Sequence, residues 1–226
     1  MNIRIQSFSP RNNTEFSEQF RLGHQRVLSD YGIENVTSNS VLWANNKHVH
    51  ALVALNLEDN SVVGGIRIHM LEDGDYLPVM MALNYIDPNV SNWVRSNKSG
   101  EAAEICGLWN AKRVFGRGIS FFLTRAAIAY CMRGKFKTLI GLAAPYTKEM
   151  SESLGFRVVE TVGLNGTFLY PNERHLASLM CFHLSSLDTM VETNRILALS
   201  LKNNPVQEIA EMYNGKTLFV EYNLTD

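Results

Sequence analysis

No run of apolar residues in this 226-residue chain approaches the ~20 that a membrane-spanning helix requires. Cysteine is scarce: Cys106, Cys131 and Cys181 are odd in number, widely spaced and set in apolar stretches. They read as small core residues in a reducing compartment, which argues against a disulfide framework or a cysteine metal centre. Net charge is nearly absent, with 21 Lys plus Arg against 22 Asp plus Glu. A chain-wide attraction to nucleic acid or anionic membrane therefore has no support. Met1 to Pro10 is polar and alternating, without a signal-peptide core, so a cytoplasmic location is expected. Repeats, low-complexity tracts and linkers are lacking too. What is plentiful is apolar side chain, 46% of the residues. A chain this long suits one domain that buries roughly 70% of its unfolded surface.

The patterning predicts an α/β order. Asn2 to Phe8 alternates as a strand, and Asn13 or Thr14 can cap a helix running to about Gly32. His48 to Leu57 and Ser61 to Met70 flank the turn Glu58-Asp59-Asn60 as a hairpin. A loop with one or two short helices follows over Glu72 to Lys98. Glu101 to Asn110 then reads as a strand, Ile119 to Met132 as a helix and Thr138 to Ala143 as a strand. Together they form a βαβ unit with adjacent parallel strands. A helix over Lys148 to Leu154, a strand over Phe156 to Val162 and a strand over Ser178 to Leu184 are expected next. Helices over Asp188 to Lys202 and after Pro205, and a strand over Thr217 to Tyr222, close the chain. One domain is expected, with a core over residues 1–165 and a C-terminal extension over 166–226.

The neutral total hides a local field. From Ile105 to Lys148 there is no Asp or Glu, but there are Lys112, Arg113, Arg117, Arg125, Arg133, Lys135, Lys137 and Lys148. Its focus, Lys112 to Ser120, lies between a strand and a helix start, where backbone N–H groups lack intrahelical partners and the dipole is positive. Gly116 and Gly118 let that backbone approach a ligand, which makes the segment a phosphate or pyrophosphate cradle. The blander alternative is a tight turn that packs a helix on a sheet. The Gly-Lys-Ser/Thr of a P-loop and the third glycine of a dinucleotide fingerprint are both missing.

At this point the sequence resembles the GNAT superfamily of acyltransferases, whose pyrophosphate loop has the pattern Gln/Arg-x-x-Gly-x-Gly/Ala. Arg113-Val114-Phe115-Gly116-Arg117-Gly118 fits it literally. The preferred register is Phe115-Gly116-Arg117-Gly118-Ile119-Ser120, which keeps Leu108, Ile119 and Leu123 at the family's apolar positions. Glu152-Ser153-Leu154-Gly155-Phe156 resembles the family's Leu-Gly-Phe helix ending. A narrower resemblance, to the autoinducer (acyl-homoserine-lactone) synthases and long-chain N-acyl amino acid synthases, rests on Phe20-Arg21-Leu22, Val62 to Arg67 and Glu104 to Leu108. Arg21, Arg67 and Glu104 match that subgroup, whereas Cys106 and Gly107 replace its Ser-Arg. Asn35, Asn39 and Asn45 occupy the region of its acidic pair.

The resemblance implies a mixed, splayed sheet flanked by helices and an N-acyltransferase that uses acyl-coenzyme A or an acyl carrier protein as donor. It implies no covalently bound cofactor. Leu108, Trp109 and Asn110 would meet the thioester and pantetheine, and Arg113 with Phe115 to Ser120 would hold the pyrophosphate. Glu104 would be the general base, with Arg21 and Arg67 binding the acceptor. The family's usual acid, a Tyr on the helix before Leu-Gly-Phe, is replaced by Ser151, with Tyr146 five residues earlier. Met80 and Met81 fall where the subgroup shapes an acyl tunnel. An ordinary acetyltransferase and a non-catalytic acyl-thioester binder are the alternatives. His48 and His50 share a strand face without a third ligand, so no metal site is expected. The extension could cover the acceptor pocket or form a homodimer contact, and the sequence does not choose.

Overall fold

The computed structural model describes residues 1–33 and 41–226. Asn35 and Asn39 lie outside them. After β1 (Ile3–Phe8), helix α1 (Thr14–Asp30) starts at Asn13, whose side chain accepts the Phe16 N–H at 2.9 Å. The hairpin β2 (Val49–Asn56) and β3 (Ser61–Met70) turns at Asn60, which takes a left-handed φ of 54°. Two short helices, α2 (Pro78–Leu83) and α3 (Asn89–Arg95), lead to β4 (Ala102–Asn110), α4 (Ile119–Cys131) and β5 (Thr138–Ala143). The parallel β4–α4–β5 unit is as expected.

Later elements depart more from expectation. Helix α5 starts at Pro145 rather than Lys148 and runs to Ser153, because proline suits a first helical position that needs no N–H. The strand expected over Phe156 to Val162 shrinks to β6 (Arg157–Val158), since the chain enters a turn with left-handed Gly163, Asn165 and Gly166. It returns through β7 (Thr167–Leu169) into β8 (Leu176–His183). Helix α6 (Glu192–Asn203) forms, but the helix expected after Pro205 is a strand, β9 (Val206–Tyr213). Asn214 and Gly215, with φ of 48° and 71°, close a tight hairpin from β9 to β10 (Lys216–Asn223).

Among the described residues ten strands make one mixed sheet in the order β6-β8-β5-β4-β3-β2-β1-β10-β9, with β7 on β8. The stretch set apart as an extension is thus woven into both sides of the sheet. β10 runs parallel to β1, with Val220 opposite Ile3. Alternate side chains of β3 divide the core. Ile66 and Ile68 pack with Phe122 and Leu123 of α4, while Arg67 faces Phe20 of α1 and Trp43. Beside Phe20, Trp109 sits so close to α1 that a Cβ on Gly23 would fall 2.0 Å from its ring.

Candidate active site

β4 parts from both neighbours where the chemistry is expected. It pairs with β5 only from Ala102–Thr138 to Ile105–Gly141. Toward β3, the register shifts between Gly65–Trp109 and Arg67–Cys106, so two β4 residues face one β3 residue. Gly107 carries this bulge at φ 59°, and a Cβ there would lie 2.8 Å from the Arg67 Nε. Glycine is therefore demanded twice at this position. The splay opens a cleft of about 480 Å³. Its floor is Glu104 to Asn110, one wall is His24 of α1 with Tyr31 just past its end, another is α5 with Tyr146 and Ser151, and the β7–β8 loop adds Tyr170 and Arg174.

Glu104 is 2% exposed, and the Val79 N–H in the first turn of α2 donates to its Oε2 at 2.8 Å. Burial pushes the carboxyl up to about 8, against the opposing pull of that N–H and of Arg67. Arg67 is itself buried, with its guanidinium 4.7 Å from the centre of the Trp43 ring. The Cys106 thiol is pushed up to about 12 by burial, so it is no thiolate nucleophile at neutral pH. On α5, the Ser151 hydroxyl donates to the Thr147 carbonyl at 3.0 Å. The Tyr146 ring lies nearly parallel to Tyr31 across the cleft mouth, with centres 6.4 Å apart.

Beyond Asn110 the chain makes one 3-10 turn, Lys112–Val114, and enters α4 through left-handed Gly116 and Gly118. No side chain caps α4, so its first N–H groups stay available to an anion. The Ser120 hydroxyl bonds to the Asn110 Oδ1 and ties the helix start to the strand end.

No family profile matches the chain, and no curated protein does by sequence. Solved structures do match. FeeM, an N-acyl amino acid synthase from uncultured soil microbes, superposes with TM-score 0.62 at 11% identity, over 85% of this chain and 97% of that one. BjaI, a coenzyme-A-dependent acyl-homoserine lactone synthase, gives 0.60 at 16%, over 87% and 90%. Arabidopsis thaliana NAA60 in complex with acetyl-coenzyme A gives 0.55 at 14%, over 82% and 100%. This is the GNAT fold.

On that fold the expected residues separate into three groups. Glu104, Leu108, Trp109, Asn110, Phe115 and Ser120 all line the cleft. Gly116, Arg117, Gly118 and Ile119 form the turn beside it, and Arg67 lies behind its floor. Arg21 is elsewhere: it pairs with Glu18 at 2.6 Å and borders a separate dent with Trp43 and Pro10. Met80 is buried in the core around α2 and Met81 is exposed, while Val79 and Ala82 of the same helix reach the cleft.

The basic segment is also less potent than its sequence suggests. Lys112 pairs with Asp30, Arg113 with Asp59, Arg125 with Glu211, Lys137 with Glu101 and Lys148 with Glu152. Five of its eight cations are thereby offset by carboxylates outside the stretch, and Arg117 at the turn has no such pair among the described residues. His48 sits 3.9 Å from Glu72 and His50 bonds the Tyr130 hydroxyl. Sequence reasoning missed His24, Tyr31 and the Val79 N–H. The signals were the Phe20/His24 spacing on one helix face and the proline that opens α2.

Proposed function

We propose that the chain is an N-acyltransferase that moves an acyl group from a pantetheine thioester to an amine, in the manner of a long-chain N-acyl amino acid synthase. The supporting observation is the combination at one strand: β4 has a free edge, a bulge and a buried carboxyl, and it ends at an uncapped helix start. Acyl-coenzyme A suits the donor role, because its pyrophosphate matches the first turn of α4 and Arg117. Pantetheine amides would pair with the β4 edge freed by the splay, as an added strand does. The apolar wall of Val79, Ala82, Ala177 and Met180 gives an acyl chain somewhere to lie.

The amine nitrogen attacks the thioester carbonyl carbon; the C–N bond forms and the C–S bond breaks. Backbone N–H groups at the Gly107–Leu108 bulge would meet the developing oxyanion. Glu104 accepts the amine proton, and the departing thiolate takes one from Tyr146 or from water. A base held at about 8 acts only when ionised, so turnover should rise with pH and level off above that value.

Two measurements test this reading. Thermal shift with acetyl-, palmitoyl- and free coenzyme A should show stabilisation, greatest for palmitoyl-coenzyme A with detergent controls clean. Glu104→Gln should then cost ~10²–10⁴-fold in thiol release while donor affinity holds. Equal stabilisation by all three would favour an ordinary acetyltransferase. Donor binding with no turnover in the unaltered protein would leave only an acyl-thioester binder.

A further inference from the structure

The two ends of the sheet are built differently. One ends in strands of two and three residues, β6 and β7, the short kind of edge that resists adding a partner. The other ends in β9, eight residues long, with neither proline nor lysine. Among the described residues the β9 backbone pairs with no strand but β10, so its outer row of peptide groups faces no strand. The outward face beside that edge is mostly apolar, with Val206 61% exposed, Met212 71% and, on β10, Phe219 62%, around exposed Glu208. Its carboxylates are Glu208, exposed, and Glu211, turned inward and paired with Arg125, and an edge of this length is a template for another strand.

We propose that β9 is the contact through which two copies of this chain pair, antiparallel and about a two-fold axis at Ile209. The asymmetry of the edges selects this arrangement. Joining β9 to the far edge of another copy would yield a ladder of only two or three residues and an open fibre, whereas β9 against β9 closes on itself. Charge selects the register. With Ile209 opposite its own copy, Met212 faces Val206, Glu208 faces Ala210 and Glu211 faces Gln207, so no carboxylates oppose each other. Centring on Glu208 or Glu211 would set like charges face to face, which destabilises a pair. Centring on Ala210 would press Glu208 against Met212. Glu221, beside Glu208 on β10, is already held by Arg4 at 2.7 Å.

The contact would reach the donor end of the cleft. Tyr213, the last residue of β9, packs on the glycine that opens α4, because a Cβ on Gly118 would lie 2.7 Å from its ring. The pairing itself is independent of the chemistry proposed for the cleft.

The test is sedimentation of the full chain over a concentration series, with amide hydrogen exchange read at both ends of it. A dimer is expected whose formation slows exchange in residues 206–213. The double variant Val206→Lys/Met212→Lys should weaken association at least ~10-fold. Both side chains are exposed in the single copy, so its melting temperature should hold and report that it folds. Two results would overturn the proposal. One is a monomer at every concentration, which would hand the edge to a strand of a different protein. The other is a dimer whose β9 amides exchange unchanged and which survives the double variant.

Discussion

Among the described residues two arginines and two carboxyls are buried in neighbouring couples, and they are handled in opposite ways. Arg125 and Glu211 are each 2% exposed and in direct contact; Tyr222 donates to the Glu211 Oε1 at 2.5 Å, and Asn194 accepts from Arg125 at 3.4 Å. The cation also lies against the Phe121 and Phe122 rings. Glu104 and Arg67 are as deeply buried, but no direct ion pair joins them, and the carboxyl takes its bond from a backbone N–H. The first couple has several partners, although the Arg125 Nε has none among the described residues, and it clamps α6, β9 and β10 onto α4. The second leaves a carboxyl raised to about 8, where it can lose and regain a proton near neutral pH. The Arg125–Glu211 pair is held by direct charge contact, whereas Glu104 is held by one backbone N–H and keeps a raised carboxyl.

Removing one member is the harshest way to break this contrast. Glu211→Ala should cost ~3–5 kcal/mol, since it strands the Arg125 guanidinium in the interior. Urea unfolding measures it. Arg125→Met with Glu211→Leu should cost much less than the sum of the two single changes. If the double variant is as unstable as Glu211→Ala, the couple contributes packing rather than paired charge.

Glu104→Gln should act in the reverse sense on stability. Below the ordinary carboxyl value of 4.5, folded and unfolded chains both hold the proton. Between there and about 8 only the folded chain does, so stability falls as pH rises; above about 8 the fall is complete. A neutral amide escapes that loss. The variant should therefore match the parent near pH 4 and exceed it by ~1–3 kcal/mol at pH 9. Melting curves at the two pH values decide it; an unchanged gap would mean that Glu104 titrates normally.

Gly118→Ala sharpens the comparison at the point where the clamp meets the donor loop. Its φ of 80° and the Tyr213 and Phe122 rings both exclude a Cβ. A cost of ~1–3 kcal/mol is expected, with weaker coenzyme A binding. Gly116→Ala shares the left-handed strain, at φ 71°, but meets no atom within 4 Å, so it should cost less. Calorimetry on the pair separates backbone strain from the contact with β9.

Much of this was legible in the sequence, for identifiable reasons. Periodicity placed β1 to β5, because apolar alternation and capping residues are local signals. The Gly116/Gly118 turn announced itself because a left-handed backbone needs glycine, and Glu104 stood out as a lone carboxylate in an apolar strand. What stayed hidden is non-local. The carboxylates that offset Lys112 and Arg113 lie on other segments, so the unpaired charge of the basic stretch was overstated. The helix expected after Pro205 is strand β9, and the signal for it is Asn214-Gly215, the left-handed pair that turns the hairpin. Family position points to Met80 and Met81, but α2 turns Val79 and Ala82 toward the cleft instead.

Arg21 gives the smallest expected effect and a pointed one. The motif Phe20-Arg21-Leu22 carries the resemblance to the autoinducer synthases, but only Phe20 of the three is buried, beneath Arg67 and beside Trp43 and Trp109. Helical spacing aims Phe20 and His24 inward and turns Arg21 toward Glu18 on the surface. Arg21→Ala should leave the acceptor KM, the donor affinity and the melting temperature where they were. Phe20→Ala, which opens a void under Arg67, should lower stability by ~3–5 kcal/mol and disturb turnover through the bulge. A raised acceptor KM in Arg21→Ala, at unchanged kcat, would mean that α1 turns on substrate binding and that the motif serves acceptor recognition.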